Sequence, residues 1–200
     1  IFAFSLAAIG IIVGGTLGSI AGYFRGLLET FLMALVDTWL SFPALIGLVF
    51  ITTMLVMRNL VVLVLVGAVF IWPSYTRIAR ATALSVSGQA FVTAARAIGT
   101  SRKRILVREI FPNVLPALLA YSLVGLPILI ILESTLSFLG LGVEIPTASW
   151  GGMINQARQD LLINIWPAVW PAVTLFMTVY SFNNLADWVR TQAAARSAAI

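Results

Sequence analysis

Neither cysteine nor histidine occurs anywhere in the chain. The first absence excludes disulfides and thiolate chemistry, and the second removes the commonest metal ligand and general base. Charge is scarce too. Only 10% of residues are charged, against about 25% in a soluble domain. With 60% hydrophobic residues and a mean hydropathy of +1.04, the chain has too few polar side chains to cover a water-facing surface. That argues against a soluble all-helical protein. No G-x-x-x-x-G-K-[ST] phosphate loop is present, so nothing here would hold the phosphates of ATP. The lack of an H-E-x-x-H pattern and of paired aspartates in facing spans argues against an intramembrane enzyme. A stand-alone secondary transporter would want a charged relay or interrupted helices in repeated halves, and neither is evident.

What is present is a series of long uncharged stretches: Ile1 to Phe24, Thr38 to Met57, Asn59 to Thr76, Ile110 to Leu132 and Leu161 to Ala186. Each approaches or exceeds the roughly 20 residues that cross a bilayer as a helix. Glycine and proline recur inside them, which membrane helices tolerate because neighbouring groups satisfy the freed backbone. The expectation is an all-α membrane protein of about five spans, residues 1–200 forming one domain without linker or repeat. Ile1 carries neither a basic n-region nor an A-x-A-like cleavage site, so the first stretch reads as a span and not as a secretory signal. The text is already apolar at Ile1, which suggests that a further span precedes it in the complete protein.

Lysine and arginine mark cytoplasmic ends. Seven of the twelve basic residues lie between Arg77 and Arg108, so that interval is expected inside. With five spans, Arg25, Arg190 and Arg196 also fall inside and Arg58-Asn59 forms an external turn. Glu133 to Ile165 falls outside, with Glu133, Glu144 and Asp160 against a single Arg158. In a soluble chain the pI of 10.5 would suggest nucleic acid, whereas here it reports basic cytoplasmic loops. Asp37, at the depth of Arg77 and Arg80, is expected to form an ion pair with them. Gly14, Gly15, Gly18 and Gly22 put a close-packing face on the first span, and Trp150, Trp166 and Trp170 are placed at the external interface.

The inside loop reads Ser87-Gly88-Gln-Ala-Phe91-Val-Thr93-Ala94-Ala95-Arg96-Ala-Ile98-Gly99, then Thr100-Ser-Arg-Lys-Arg-Ile-Leu-Val-Arg108-Glu109-Ile-Phe-Pro112-Asn113. Ser87 is a candidate N-cap and Gly99 a C′ stop for a short helix. Phe91, Ala94, Ala95 and Ile98 share one small apolar face, with Arg96 off it. Ser101 is a candidate cap for a second, basic helix, which Pro112 is expected to interrupt. Such a helix suits docking in a partner's groove, with Phe91 as anchor, and equally suits lying on anionic headgroups.

This loop resembles the EAA loop of ABC importer permeases, approximately E-A-A-x-x-x-G followed by a basic or His-x-x-P-N ending. Ala94, Ala95, Gly99, Arg108, Pro112 and Asn113 fall in register, while Thr93 replaces the usual Glu and Glu109 stands where His is common. Gly22-Tyr-Phe-Arg-Gly26, Leu35-Val-Asp37 and Phe42-Pro43 resemble the dipeptide, oligopeptide and nickel branch. Glu133-Ser134-Thr-Leu-Ser137-Phe-Leu-Gly-Leu-Gly142, then Pro146-Thr-Ala-Ser-Trp-Gly151 and Phe182-Asn-Asn-x-x-Asp187, resemble the second permease subunit of di- and oligopeptide importers.

The resemblance implies a type I importer fold in the bacterial or archaeal cytoplasmic membrane. It further implies alternating access and no cofactor in this chain, ATP and magnesium being held by two separate ATP-binding subunits. A second homologous permease subunit, an extracytoplasmic solute-binding protein and membrane lipid complete the expected partners, with no nucleic acid. Gly88, Phe91, Thr93, Ala94, Ala95, Arg96, Ile98 and Gly99 would form the coupling helix, with Arg108, Pro112 and Asn113 ending the loop. Glu133, Ser134 and Ser137 are candidates for the translocation path or a gate. The solute is expected to be a di- or oligopeptide, with a nickel chelate or other small solute as the alternative.

Overall fold

Proline, glycine and small residues decide where the helices break and where they touch. The computed structural model describes residues 1–55, 58–144 and 146–198, with side chains to residue 191. Val56 and Met57, at the end of the second expected span, and the Arg196 side chain lie outside what is described. Among the described residues eight α-helices follow one another, with a 3-10 turn at Arg158–Asp160 and no strand: α1 (Phe2–Phe24), α2 (Gly26–Leu40), α3 (Ala44–Met54), α4 (Leu60–Ser87), α5 (Ala90–Ala97), α6 (Arg102–Phe138), α7 (Trp150–Ala157) and α8 (Trp166–Ala198).

By length and composition α1, α4 and α6 can cross a membrane, and α2 with α3 makes a fourth if the bent pair counts as one span. The break between those two falls at Ser41–Pro43, where proline lacks a backbone donor and disfavours helical geometry in the residue before it. The last expected span is the 33-residue α8. It is ample in length, but tryptophan, threonine and asparagine dilute its apolar character, and it does not pass the same criterion. α4 and α6 outrun their expected uncharged stretches because arginine-bearing turns continue them. Phe31, Ile128 and Phe176 are each more than 60% exposed, an apolar surface that suits lipid and not water.

The chain falls into two compact units. The first comprises Ile1–Leu6, Leu45–Gly67 and the chain from Leu123 on. In it Gly67 faces the Leu6 side chain, Phe4 meets Phe182 edge to face at 6.0 Å, and α7 packs along α8.

The second comprises Ala7–Ala44 and Ala68–Ser122. Its α1 and α4 lie backbone to backbone. A Cβ at Gly14, Gly18 or Gly22 would sit 2.6, 2.3 or 2.6 Å from the carbonyl oxygens of Trp72, Thr76 and Arg80, while Gly15 faces Leu118 on α6. The expected glycine face is therefore real, and it serves two neighbours. α1 widens into a π-helical turn over Gly10–Gly14 where Gly10 meets the ring of the buried Tyr75, which in turn stands edge to face on Tyr121 at 5.1 Å.

The same unit fastens α2 to α4 by charge. Arg77 reaches Asp37 at 2.5 Å, the expected pair. Arg80 takes Glu29 instead, its Nε donating at 2.7 Å. Between α1 and α2 the turn runs through Arg25 at φ +54 and Gly26 at φ +70.

Candidate functional site

α5 is eight residues long, too short to hold itself together, so its ends and its inner face carry it. Its N-cap is Gln89, in extended geometry and without a side-chain bond. Ser87, the expected cap, is instead the last residue of α4, and its hydroxyl donates to the Leu84 carbonyl at 2.8 Å. The stop is as expected. Gly99 has φ +79, its N–H donates to the Arg96 carbonyl at 3.0 Å, and the Thr100 N–H donates to Ala95 at 3.1 Å. This is the paired-bond Schellman closure, which a residue with a Cβ adopts only under strain.

The inner face is set by Val92, with no exposed surface, enclosed with Tyr23, Ile105, Ile110 and Val114, and with Ala95 packed against that cluster. Periodicity read from Phe91 missed Val92, one step round the helix. Phe91, Ala94 and Ile98 form a separate, outward apolar face, with Ile98 82% exposed. Thr93 is also exposed, and its hydroxyl donates to the Gln89 carbonyl at 3.3 Å. The Arg96 guanidinium lies 5.3 Å over the Tyr23 ring and reaches the Ser87 carbonyl at 3.5 Å. Gly88 links α4 to α5, its N–H donating to Ser85.

Ser101 occupies the N-cap of α6, but its side chain makes no capping bond. Pro112 does not interrupt this helix, contrary to expectation. A π-helical turn over Leu106–Ile110 precedes it, with the Phe111 N–H bonded to Leu106. The added residue makes Ile105 and Ile110 five apart yet keeps both on the face that Val114 and Leu118 continue, all four without exposed surface. It also loosens the hydrogen-bond ladder where proline has no donor to offer. The Asn113 carboxamide donates to the Glu109 carbonyl at 2.7 Å, satisfying an acceptor at the same irregularity. Arg108 points outward.

In the other unit, the Ser137 hydroxyl donates to the Glu133 carboxylate at 2.7 Å and that of Ser134 lies 3.5 Å from its second oxygen. Both serines are 4% exposed. The glycines of the following loop press directly upon them: a Cβ at Gly142 would lie 1.8 Å from the Ser137 Oγ, and one at Gly151 only 1.9 Å from the Ser134 carbonyl oxygen. Gly140, at φ +76, closes α6 with the same paired bonds seen at Gly99. Glu133 lines a largely apolar cavity of about 500 Å³ together with Phe2, Trp150, Met153, Thr178 and Phe182.

Arg58 clasps the same loop, with its Nη1 donating to Gly140 at 2.6 Å, its carbonyl accepting from the Glu144 N–H at 3.0 Å, and its Nε 3.7 Å from the Glu144 carboxylate. The sequence signal for this clasp was only Arg58 in an expected external turn, with an expected external segment from Glu133 to Ile165 whose charges are mainly acidic.

The sequence profile for binding-protein-dependent transport system inner membrane components matches residues 14–197. The chain is 33% identical over 184 residues to the glutathione transport system permease protein GsiD of Pectobacterium atrosepticum, covering 91% of this chain and 60% of that one. It is 32% identical to the oligopeptide transport system permease protein OppC of Haemophilus influenzae (92% and 59%), and 36% identical to GsiD of Escherichia coli O157:H7 (91% and 60%). The chain thus spans about 60% of the length of these relatives. With the profile running from the glycine face of α1 to the far end of α8, the chain belongs to the family of binding-protein-dependent transport system inner membrane components.

Proposed function

We propose that this chain is the membrane-spanning permease subunit of an ATP-driven importer of short peptides, acting as one transmembrane domain. The observation that carries the reading is α5, which is seated through Val92 and turns a second apolar face, Phe91, Ala94 and Ile98, outward. A short helix held at both ends and apolar on its free side is suited to seating in the groove of a separate ATP-hydrolysing subunit. Closure of two such subunits would move α5, and with it the α4 and α6 ends to which it is tied, shifting the spans between outward- and inward-open states. A ligand drives such a shift only through its different affinity for the two states. The basic interval from Arg77 to Arg108 supports a cytoplasmic α5, which would leave the Glu133–Trp150 region outside to receive solute from a binding protein.

The relatives named for oligopeptide and glutathione transport favour a peptide solute over a metal chelate. Glu133, at the wall of its cavity, is the candidate for the path, with Ser134 and Ser137 orienting its carboxylate. The test is co-purification of the full-length protein with its ATPase subunits. Ala94→Glu and Ile98→Asp change only the outward face and should each weaken retention about tenfold or more, in the range of interface anchors, while the spans stay folded. Retention indifferent to both changes would overturn the docking role of α5.

A further inference from the structure

The end of α1 and the turn entering α6 enclose a cleft of about 440 Å³, lined by Tyr23, Phe24, Arg96, Thr100, Arg102 and Ile105. Its lining is mainly polar and contains two guanidinium groups, two hydroxyls and no carboxylate. The Arg96 guanidinium lies over the Tyr23 ring, its central carbon 5.3 Å from the centroid. A guanidinium held over a ring still has N–H donors that can meet an oxyanion. Its one acceptor among the described residues, the Ser87 carbonyl at 3.5 Å, is at the limit of a hydrogen bond.

The neighbouring charges are unbalanced as well. Among the described residues, ion pairs are made by Arg58, Arg77, Arg80 and Arg190. Arg96, Arg102, Lys103, Arg104 and Arg108 make none, and Glu109 is the one acid in that stretch. The apolar side of the cleft is Phe24, 39% exposed at the last turn of α1, a 23-residue helix long and apolar enough to cross a membrane; at the end of such a span it would stand where a headgroup meets its acyl chains.

We propose that this cleft binds a phosphate-bearing anion through Arg96, Arg102 and the Thr100 hydroxyl, and that in the membrane the ligand is the phosphodiester headgroup of an anionic lipid. Held there, the headgroup would brace the junction of α1, α5 and α6.

The test uses the full-length permease, in whatever complex it forms, in discs of phosphatidylcholine mixed with phosphatidylglycerol, with retained lipid counted by native mass spectrometry after exchange into neutral detergent. Phosphatidylglycerol should be retained in preference to phosphatidylcholine. Arg96→Gln and Arg102→Gln should each lower that preference about tenfold, as loss of a charge-assisted bond does. Arg102→Lys, which keeps charge without the fork, should fall between and carries the test if a glutamine variant fails to fold. Lys103→Gln with Arg104→Gln, outside the cleft, should change it less than about twofold. A second arm adds inorganic phosphate to discs of phosphatidylcholine alone. Broadening of its phosphorus signal that depends on Arg96 and Arg102 would support the site with a soluble phosphate as ligand. Equal losses from cleft and control variants, or neither lipid preference nor phosphate broadening, would overturn the proposal. Lipid retention is read whether or not an ATPase is bound, so its failure leaves the permease reading standing.

Discussion

Arg25 holds a backbone conformation at φ +54 that side-chain-bearing residues rarely adopt. Replacing it by glycine should raise the thermal unfolding midpoint in detergent, by the equivalent of about 1 kcal/mol. Gly151 poses the opposite case. Its missing Cβ would fall on the Ser134 carbonyl, so Gly151→Ala should destabilise by about 2 kcal/mol or more. Gly125→Ala, where nothing lies within 4 Å, should be neutral or gain up to about 1 kcal/mol from helix propensity. Paired melting curves read both. At this scale the sequence was legible where a residue type has few uses: Gly99 as a stop, the α1 glycines as contact points, Asp37 as a partner for Arg77. Glu29 was missed as the partner of Arg80 because on α2 an acidic residue in the first turn needs no partner to be unremarkable. Thr93 is exposed and bonded only to its own turn, so Thr93→Glu should leave stability within about 0.5 kcal/mol. Any change in ATPase retention can then be assigned to the docking surface itself.

The elements were harder to bound than to find. Apolar residues on two faces of α5 give a periodicity that does not say which face is inward, so Phe91 stood out and Val92 did not. Ser87 was a reasonable cap on composition, but α4 simply continued through it until Gly88 and Gln89 changed direction. The π-helical turn in α6 was hidden for another reason. A five-residue spacing between Ile105 and Ile110 is indistinguishable in the sequence from a shift of face, and only packing reveals that both are inward. Deleting Val107 should convert the turn to ordinary α-helix with Ile105 and Ile110 still on one face, four apart. Pro112 would then lie in a regular ladder, at a cost of about 3 kcal/mol. Expression and melting of the deletion should therefore be poor alone and recover when Pro112→Ala is added. Recovery without that second change would mean that the proline is not what the turn accommodates.

For the whole molecule, membrane class and family were legible because composition and several separate motifs agreed along the chain, whereas the number of crossings depends on the bent α2–α3 pair and on α8. The absence of cysteine from residues 1–200 makes this measurable, since an introduced thiol is the sole target within them. Lys103→Cys should react with an impermeant maleimide only in inside-out vesicles, and Leu162→Cys only in intact cells. Arg190→Cys should behave as Lys103→Cys if α8 crosses, and as Leu162→Cys if it does not. If the proposed role of α5 holds, its seating has a mechanical consequence. Val92 is sunk among Tyr23, Ile105, Ile110 and Val114 with no free surface, and Gly99 locks the trailing end. A helix merely resting on its neighbours would rock before it pulled, wasting the first part of each stroke. This one is keyed into them, so a displacement applied at Phe91 or Ile98 reaches α1 and α6 with little play.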